Sequence, residues 1–555
     1  MKRRRFLRES MAGAVAVLAA ANTRGVLASR ANSHARGEIL PPMPDSFELD
    51  EITIYQLQAG LTSGRFTAQS LTKKYLQRID EVDKRGPAIN SVIELNPDAL
   101  AIATASDQER KAGRVRGPLH GIPILIKDNI ETADRMMTTA GSLALVGSRP
   151  TQDAFIVKRL REAGAVIIGK TNLSEWANFR SSHSSSGWSG RGGQTHNPYS
   201  LDRNPCGSSS GSGAATAANL CAASIGTETD GSIVCPSSAN GLVGIKPTLR
   251  LVSRSGIIPI AHSQDTAGPM ARTVTDAVIL LEALMGYDAG DPITGNRRRW
   301  DSTLAGNGLK DSATLTLHAL EARGLRGARI GVVRKSFGFN DAVDKIMEQS
   351  IAVIKSLGAV IVDPANIPTA GKFDDTELEV LLYEFKADLN RYLAALGPSA
   401  PVHSLKDIID FNERNRDREM LYFGQDLFIK AQAKGPLTDK AYLKALAKNH
   451  RLSRAQGIDK VMDQHRLDAL VAPTGGPSWT TDWANGDHFT GGYSTASAVA
   501  GYPHITVPAG YALSMPVGIS FFGRAHSDAR LIMFAYAFEQ ATNVRRPPRF
   551  LSSVH

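Results

Sequence analysis

The chain has 555 residues, 42% hydrophobic and 21% charged, the balance of a globular protein with a sizeable core; length alone allows roughly three or four domains. Its net charge of +10 is inflated by residues 1–28, where Lys2, Arg3, Arg4, Arg5, Arg8 and Arg24 stand against Glu9, so the remainder carries only +5. No basic stripe is interleaved with aromatics, which argues against nucleic acid as a partner, and three cysteines are too few, and odd in number, for a disulfide framework.

Taken in order, Arg3-Arg4-Arg5-Phe6-Leu7-Arg8 reads as a twin-arginine export signal. The apolar segment Met11 to Ala21 is too short to span a bilayer, and Val26-Leu27-Ala28 or Ala19-Ala20-Ala21 supplies a small-residue cleavage site. The expectation is a signal peptide over 1–28, a flexible leader over 29–45, and a periplasmic or secreted protein with the twin-arginine machinery as its export partner. No stable membrane insertion is expected after signal removal, and no cysteine near the cleavage site suggests a lipid anchor.

Ser46 to Arg85 has helical periodicity, with Thr67 as an N-cap. Ser91 to Leu95 reads as a strand, and Asn96 to Ala112 as a helix with Pro97 in its first turn. Pro123 to Lys127 is an apolar run ending in lysine, predicted to be a buried strand. Phe155 to Ala163 is an amphipathic helix and Ala165 to Ile168 a strand. Gly187 to Asn197, rich in Gly and Ser, is expected as a surface loop near the mouth of a site. Gly213 to Ala223 reads as a helix of very small residues lying between two loops, Gly207–Gly211 and Gly226–Ser232. Ile257 to Ile260 and the stretch from Ser263 to Thr273 read as strand and turn, with Asp265 and Arg272 as an ion pair or loop support. Val274 to Met285 is an apolar helix, and Asp288 to Leu325 a surface insertion whose Arg297-Arg298-Arg299 is solvated. Arg329–Val333, a helix Asp341–Leu357 and Val360–Val362 form a βαβ unit. Thr376–Leu396 and Ser404–Leu427 are long helices, whose Glu384, Phe385, Asn412, Tyr422 and Phe423 either cap a cleft or pack the core. Strands at Ala469–Pro473, His504–Pro508 and Val517–Phe521 and a helix at Asp528–Ala541 complete the pattern.

Two motif matches are misleading. Gly164 to Thr171 fits G-x-x-x-x-G-K-[ST], but its centre, Ala-Val-Ile-Ile, is a buried strand whose amides are committed to neighbours rather than to phosphate. Gly207 to Gly211 fits G-x-S-x-G, but Arg203-Asn204-Pro205, not a strand, precedes it. The chemistry instead points to a serine activated by a lysine. Serine needs a base to act as a nucleophile, and Ser208 and Ser232 lie on the two Gly/Ser loops. Lys127, at the inner end of an apolar strand, is costly to keep charged there, so burial lowers its pKa toward the roughly 7–8 a base requires.

Gly121–Asn129 (GIPILIKDN), Gly207–Gly213 (GSSSGSG) and Gly226–Thr248 (GTETDGSIVCPSSANGLVGIKPT) resemble the amidase signature family, weakly over 46–542 and strongly over 117–272. The variant around Asp230 resembles the bacterial peptide amidase branch. The resemblance implies one large α/β/α domain, a twisted mixed β-sheet covered by helices on both faces. It divides the domain into N-terminal helices (46–112), a signature core (117–272), the insertion (288–325), the remaining sheet and cleft-capping helices (326–542) and a tail (543–555). It also implies amide hydrolysis by Lys127, a bridging Ser208 after a cis peptide bond and the nucleophile Ser232. The backbone N–H groups of Thr229, Asp230, Gly231 and Ser232 then form the oxyanion hole, with Ser209 in support. No cofactor or metal is expected, and the protein is a monomer or homodimer acting on a small-molecule or peptide amide. The alternatives are a partner-dependent amidotransferase A-type subunit or an aryl or fatty-acyl amide hydrolase. Asp230 and Cys206 stand where many members have glycine; Asp230 meets leaving ammonia or caps its turn. Cys206 and Cys235 flank the two serines, so a bridge between them is conceivable, but small buried packing residues are the default.

Overall fold

Two threonines open the N-terminal helices. Thr53 and Thr67 each accept the N–H of the residue three ahead and complete a reciprocal capping box, starting α1 (Ile54–Ser63) and α2 (Ala68–Arg78). α3 (Ala99–Lys111) begins after Asp98, so Pro97 precedes the helix instead of sitting in its first turn. α4 (Phe155–Glu162) forms where its amphipathic pattern predicts, burying Ile156, Val157 and Leu160. This computed structural model describes residues 46–295, 320, 322–398 and 400–554. The expected export signal and leader and most of the expected 288–325 insertion, with its arginine run, lie outside them.

The apolar runs become one 11-stranded sheet. Its strands are β1 (Val92–Leu95), β2 (Pro123–Lys127), β3 (Val166–Thr171), β6 (Ala223–Glu228), β7 (Val243–Lys246), β8 (Thr266–Ala271), β9 (Arg329–Val332), β10 (Val360–Val362), β11 (Ala469–Pro473), β12 (His504–Ala512) and β13 (Met515–Phe522); β4 (Trp188–Ser189) and β5 (Gly193–Gln194) pair separately. The spatial order is β1-β3-β2-β6-β8-β7-β12-β13-β11-β9-β10. β2 runs parallel to β3 and β6, β9 runs parallel to β10 and β11, and β8, β12 and β13 pair antiparallel, so the sheet is mixed as expected. Every residue of β2, β3, β6, β7, β8, β11 and β13 is buried, which requires cover on both faces. Helices supply that cover: α5 (Ser210–Ala217) packs on β2, β3, β6 and β8, while α6 (Val234–Ala239) packs on β7, β12 and β13, and α7 (Val274–Leu284) on β8.

Small side chains let α5 sit close. All eight of its residues are buried, and a Cβ on Gly211 would lie 2.3 Å from the Ser91 carbonyl oxygen. The helix is shorter than the expected Gly213–Ala223 and shifted toward the N-terminus. β6 begins at Ala223 and takes Gly226, Thr227 and Glu228 out of the expected second loop, because Ser224–Glu228 pairs in register with Thr266–Met270 of β8. Lys170 and Thr171 belong to β3, where Lys170 Nζ donates to the Ile130 carbonyl and Thr138 Oγ1, which leaves the phosphate-loop match no role.

Other expectations are corrected. Ile257–Ile260 is not a strand; only Ile257 makes an isolated bridge, to Ile130. Gly187–Asn197 is a largely buried hairpin of β4 and β5 rather than a surface loop. Ser404–Leu427 is broken into helices Leu405–Arg414 and Arg416–Glu419 before Asp426–Gln432, since Asn415 Nδ2 folds back on the Phe411 carbonyl (2.8 Å) and Gln425 returns to Glu413 (2.9 Å). Asp265 and Arg272 do not pair: Arg272 donates to the carbonyls of Thr216, Cys221 and Ile52, while Asp265 accepts from Thr229 Oγ1. β7 and the helices Lys440–Ser453 and Asp459–His465 were not anticipated.

Candidate active site

The carboxyl ends of the parallel strands β2 and β6 place Lys127 and Thr227 side by side, at the edge where open α/β sheets hold their ligands. Lys127 is fully buried. Its Nζ lies 2.8 Å from Ser208 Oγ, 3.1 Å from Ser209 Oγ and 2.9 Å from Thr227 Oγ1. No carboxylate ion-pairs with it among the described residues. Burial pulls its pKa down to about 7, against the smaller upward pull of Asp265 and Glu228. A neutral amine has two N–H donors and one lone pair. Ser209 Oγ gives its own proton to the Thr227 carbonyl (3.0 Å), and Thr227 presents both its Oγ1 (2.9 Å) and its carbonyl (3.3 Å) to the amine, so acceptors surround both N–H groups. The lone pair is then left for the Ser208 hydroxyl.

Ser208 and Ser209 are positioned by the turn into α5. The Gly207–Ser208 peptide is cis, as the resemblance implied. Ser210 Oγ donates to the Cys206 carbonyl (2.7 Å), and a Cβ on Gly207 would lie 2.2 Å from Ser174 Oγ. Ser232 follows β6 on the turn into α6. It is 9% exposed, whereas Lys127 and Ser208 are inaccessible. The Ser209 N–H donates to the Ser232 carbonyl (3.2 Å), which ties the two loops together. The Ser208 and Ser232 hydroxyls themselves share no hydrogen bond.

Glu228 organises the turn. Its Oε2 accepts from the N–H groups of Ile233 (2.8 Å) and Val234 (3.1 Å) at the start of α6. The preceding N–H groups, those of Thr229, Asp230, Gly231 and Ser232, have no intramolecular acceptor among the described residues. Four consecutive free donors beside an accessible serine are suited to a developing oxyanion. Gly231 has φ +80°, and a Cβ there would press on Ser494 Oγ at 3.0 Å. The Asp230 carboxylate is occupied: it accepts from Ser494 Oγ (2.5 Å) and Thr495 Oγ1 (2.7 Å), which anchors the turn to the helix Thr495–Ala500. Asp265 supports the same turn through Thr229 Oγ1 (2.6 Å), and burial raises its pKa to about 6.

The two cysteines beside the serines are not free packing residues. Cys206 and Cys235 form a disulfide, with Cα atoms 6.0 Å apart, and Cys221 is the free buried thiol. A cavity of about 620 Å³ is lined by Asn129, Thr227 and Thr229, with Ile257, Ile258 and Ile260 as its apolar wall. At its rim His262 directs Nδ1 to Asp388 (2.7 Å) and Nε2 toward Glu384 (3.4 Å). Each ring nitrogen meets a different carboxylate, the arrangement of an ion-paired imidazolium rather than of three ligands converging on a metal. Of the helix residues expected to cap the cleft or fill the core, Glu384, Phe385 and Asn412 are fully buried, Phe423 nearly so, and Tyr422 is exposed, stacked on Trp483 at 4.8 Å.

Sequence reading found Lys127, Ser208, Ser209 and Ser232 but missed Thr227, Glu228 and Asn129. A signal was present for the first two: Thr227 and Thr229 alternate with Glu228 along an extended segment, so the glutamate faces opposite the threonines.

Comparison with known proteins agrees with this geometry. The Amidase family model matches residues 70–532. The chain belongs to the amidase signature family. It is 42% identical over 518 residues to a probable amidase of Arabidopsis thaliana, covering 92% of this chain and 94% of that one. The native peptide amidase of Stenotrophomonas maltophilia superposes with a TM-score of 0.84 at 50% identity, covering 91% of this chain and 100% of that one. The A-type polypeptide of the glutamyl-tRNA(Gln) amidotransferase of Thermoanaerobacter pseudethanolicus is 32% identical, over 90% of this chain and 99% of that one. This family member is therefore an amide-hydrolysing enzyme, and its fold is that of the peptide amidases.

Proposed function

We propose that the protein is an exported serine amidase that hydrolyses carboxylic acid amides, peptide C-terminal amides foremost, through an acyl-enzyme. The observation that carries the reading is the buried, carboxylate-free Lys127 amine, 2.8 Å from Ser208 Oγ, with acceptors in place for both of its N–H groups. Neutral Lys127 takes the Ser208 proton while Ser208 takes the Ser232 proton, and Ser232 Oγ bonds to the amide carbon. The N–H groups of residues 229–232 hold the oxyanion. The proton returns from Lys127 through Ser208 to the leaving nitrogen, the C–N bond breaks, and ammonia or an amine departs. Water, deprotonated by the same relay, then cleaves the ester. The missing Ser208–Ser232 hydrogen bond is of the kind that tightens when substrate binds.

Likeness to peptide amidase over nearly the whole chain supports the substrate class. A panel of peptide amides, aliphatic amides and anilides, scored by ammonia or amine release, tests it: the highest kcat/KM on peptide amides is expected, and a preference for another group replaces that substrate assignment. Similarity to the A-type polypeptides of amidotransferases keeps a second reading in view, a protein that passes ammonia to a partner. Ammonia release by the purified protein alone separates the two. Export rests on Arg3-Arg4-Arg5-Phe6-Leu7-Arg8 and the short apolar segment behind it.

A further inference from the structure

Cys206 immediately precedes Gly207–Ser208, and Cys235 stands three residues beyond Ser232, in the first turn of α6. Their disulfide is thus a covalent tie between the two loops that carry the proton relay and the nucleophile. The other ties near this point are hydrogen bonds: the Ser209 N–H to the Ser232 carbonyl (3.2 Å), Ser209 Oγ to the Thr227 carbonyl (3.0 Å), the Thr227 N–H to Ser209 Oγ (3.2 Å), and Asn240 Nδ2, just after α6, to the Pro205 carbonyl (2.9 Å). Cys206 is 5% exposed while Cys235 is half-buried, so a reductant would approach the bridge from the Cys235 side.

We propose that this bridge is a redox switch on the amidase activity: oxidised, it holds Ser208 and Ser232 within reach of each other; reduced, it lets the two loops separate and the enzyme loses turnover. Two unbonded sulfurs withdraw to contact distance, roughly 3.5–4 Å, and the segments that bear them lose their covalent constraint. A proton relay is sensitive to that scale, since a displacement of about 1 Å at reacting groups can cost on the order of 100-fold in rate. The cavity also ends on Thr227 and Thr229, but its apolar wall of Ile257, Ile258 and Ile260 belongs to another segment, so turnover should suffer more than substrate binding. Oxidation needs a disulfide donor. The Cys235 thiolate attacks one sulfur of the donor and releases one donor thiol; the Cys206 thiolate then displaces the second, so that two protein thiols and one donor disulfide give the bridge and two donor thiols. In an oxidising compartment the bridge persists, and the switch would turn on after export.

The proposal rests on the amidase reading above, and the experiment keeps the two apart. The whole protein is reduced with dithiothreitol, the loss of the Cys206–Cys235 bridge is verified by mass spectrometry, and turnover of a peptide amide is measured before and after, alongside circular dichroism and fluorophosphonate labelling of Ser232. On reduction kcat and the labelling rate should fall at least tenfold, with KM changing less than about threefold and the dichroism unchanged. Oxidised glutathione should restore both. Cys206→Ser/Cys235→Ser should match the reduced enzyme and ignore reductant, whereas Cys221→Ala should keep the full response. Undiminished kcat in verified reduced protein overturns the proposal, as does loss of the folded spectrum on reduction, which would make the bridge a staple of the fold. An oxidised enzyme that is labelled at Ser232 but hydrolyses no amide would overturn the amidase reading, leaving the labelling rate to decide the switch.

Discussion

At the scale of single residues, the proposed chemistry turns on an amine, Lys127, that loses its charge near neutral pH. Protonation of Lys127 removes the base, so activity falls as pH drops through about 7 and is full above it. A pH profile of kcat/KM with an acidic limb near that value is the expected result. Lys127→Arg should be inactive at every pH at which the fold survives, because guanidinium stays charged. Ser232→Ala should lower kcat by about 10⁴-fold or more while the thermal unfolding curve is retained. These residues were legible because each had a local signature: a lysine closing an apolar strand, and serines in Gly-rich turns that fit the family's motifs. Asn129 was not, because its hydrogen bond to Thr227 crosses from the end of β2 to β6, a relation that exists only once the strands pair. The Cys206–Cys235 bridge was hidden for the same reason: a sequence separation of 29 says nothing about a Cα distance of 6.0 Å.

Among elements, the turn from β6 into α6 is the most exacting. Glu228 caps α6 from inside the sheet, its own pKa raised by burial against the pull of Lys246 and the α6 amides. Glu228→Gln keeps the size but weakens a charge-assisted cap, and is expected to cost about 1–3 kcal/mol of unfolding free energy together with a fall in kcat rather than a rise in KM. Chemical denaturation and steady-state kinetics check the two halves. A second element is pinned by Arg180, which lies fully buried between Glu175 (2.6 Å) and Glu419 (3.6 Å) and over the Phe423 ring at 4.2 Å. Arg180→Leu leaves two buried carboxylates without their cation and should destabilise the fold by about 3–5 kcal/mol, read from the denaturation midpoint. Strands were anticipated well where apolar runs were long, as at β2, β3 and β11. Boundaries failed where small residues suit more than one state: Ala223–Glu228 has little intrinsic preference and becomes a strand because β2 and β8 lie on either side of it.

For the whole molecule, the mixed sheet and its helical cover were legible from the family's motifs, whereas the strand order was not, since periodicity does not say which strands are neighbours. Replacing Arg3 and Arg4 by lysine should hold a reporter fusion of residues 1–45 in the cytoplasm, whereas the native leader is expected to export it through the twin-arginine route; equal export of both forms would remove the assignment. The enzyme's central claim can be measured directly by following the rate of Ser232 labelling by a fluorophosphonate against pH, from about 5 to 9. The wild-type rate should rise with an apparent pKa near 7, and Lys127→Ala should be slow and flat across the range. A wild-type rate that does not change with pH, or one unaffected by Lys127→Ala, would contradict a lysine-driven relay.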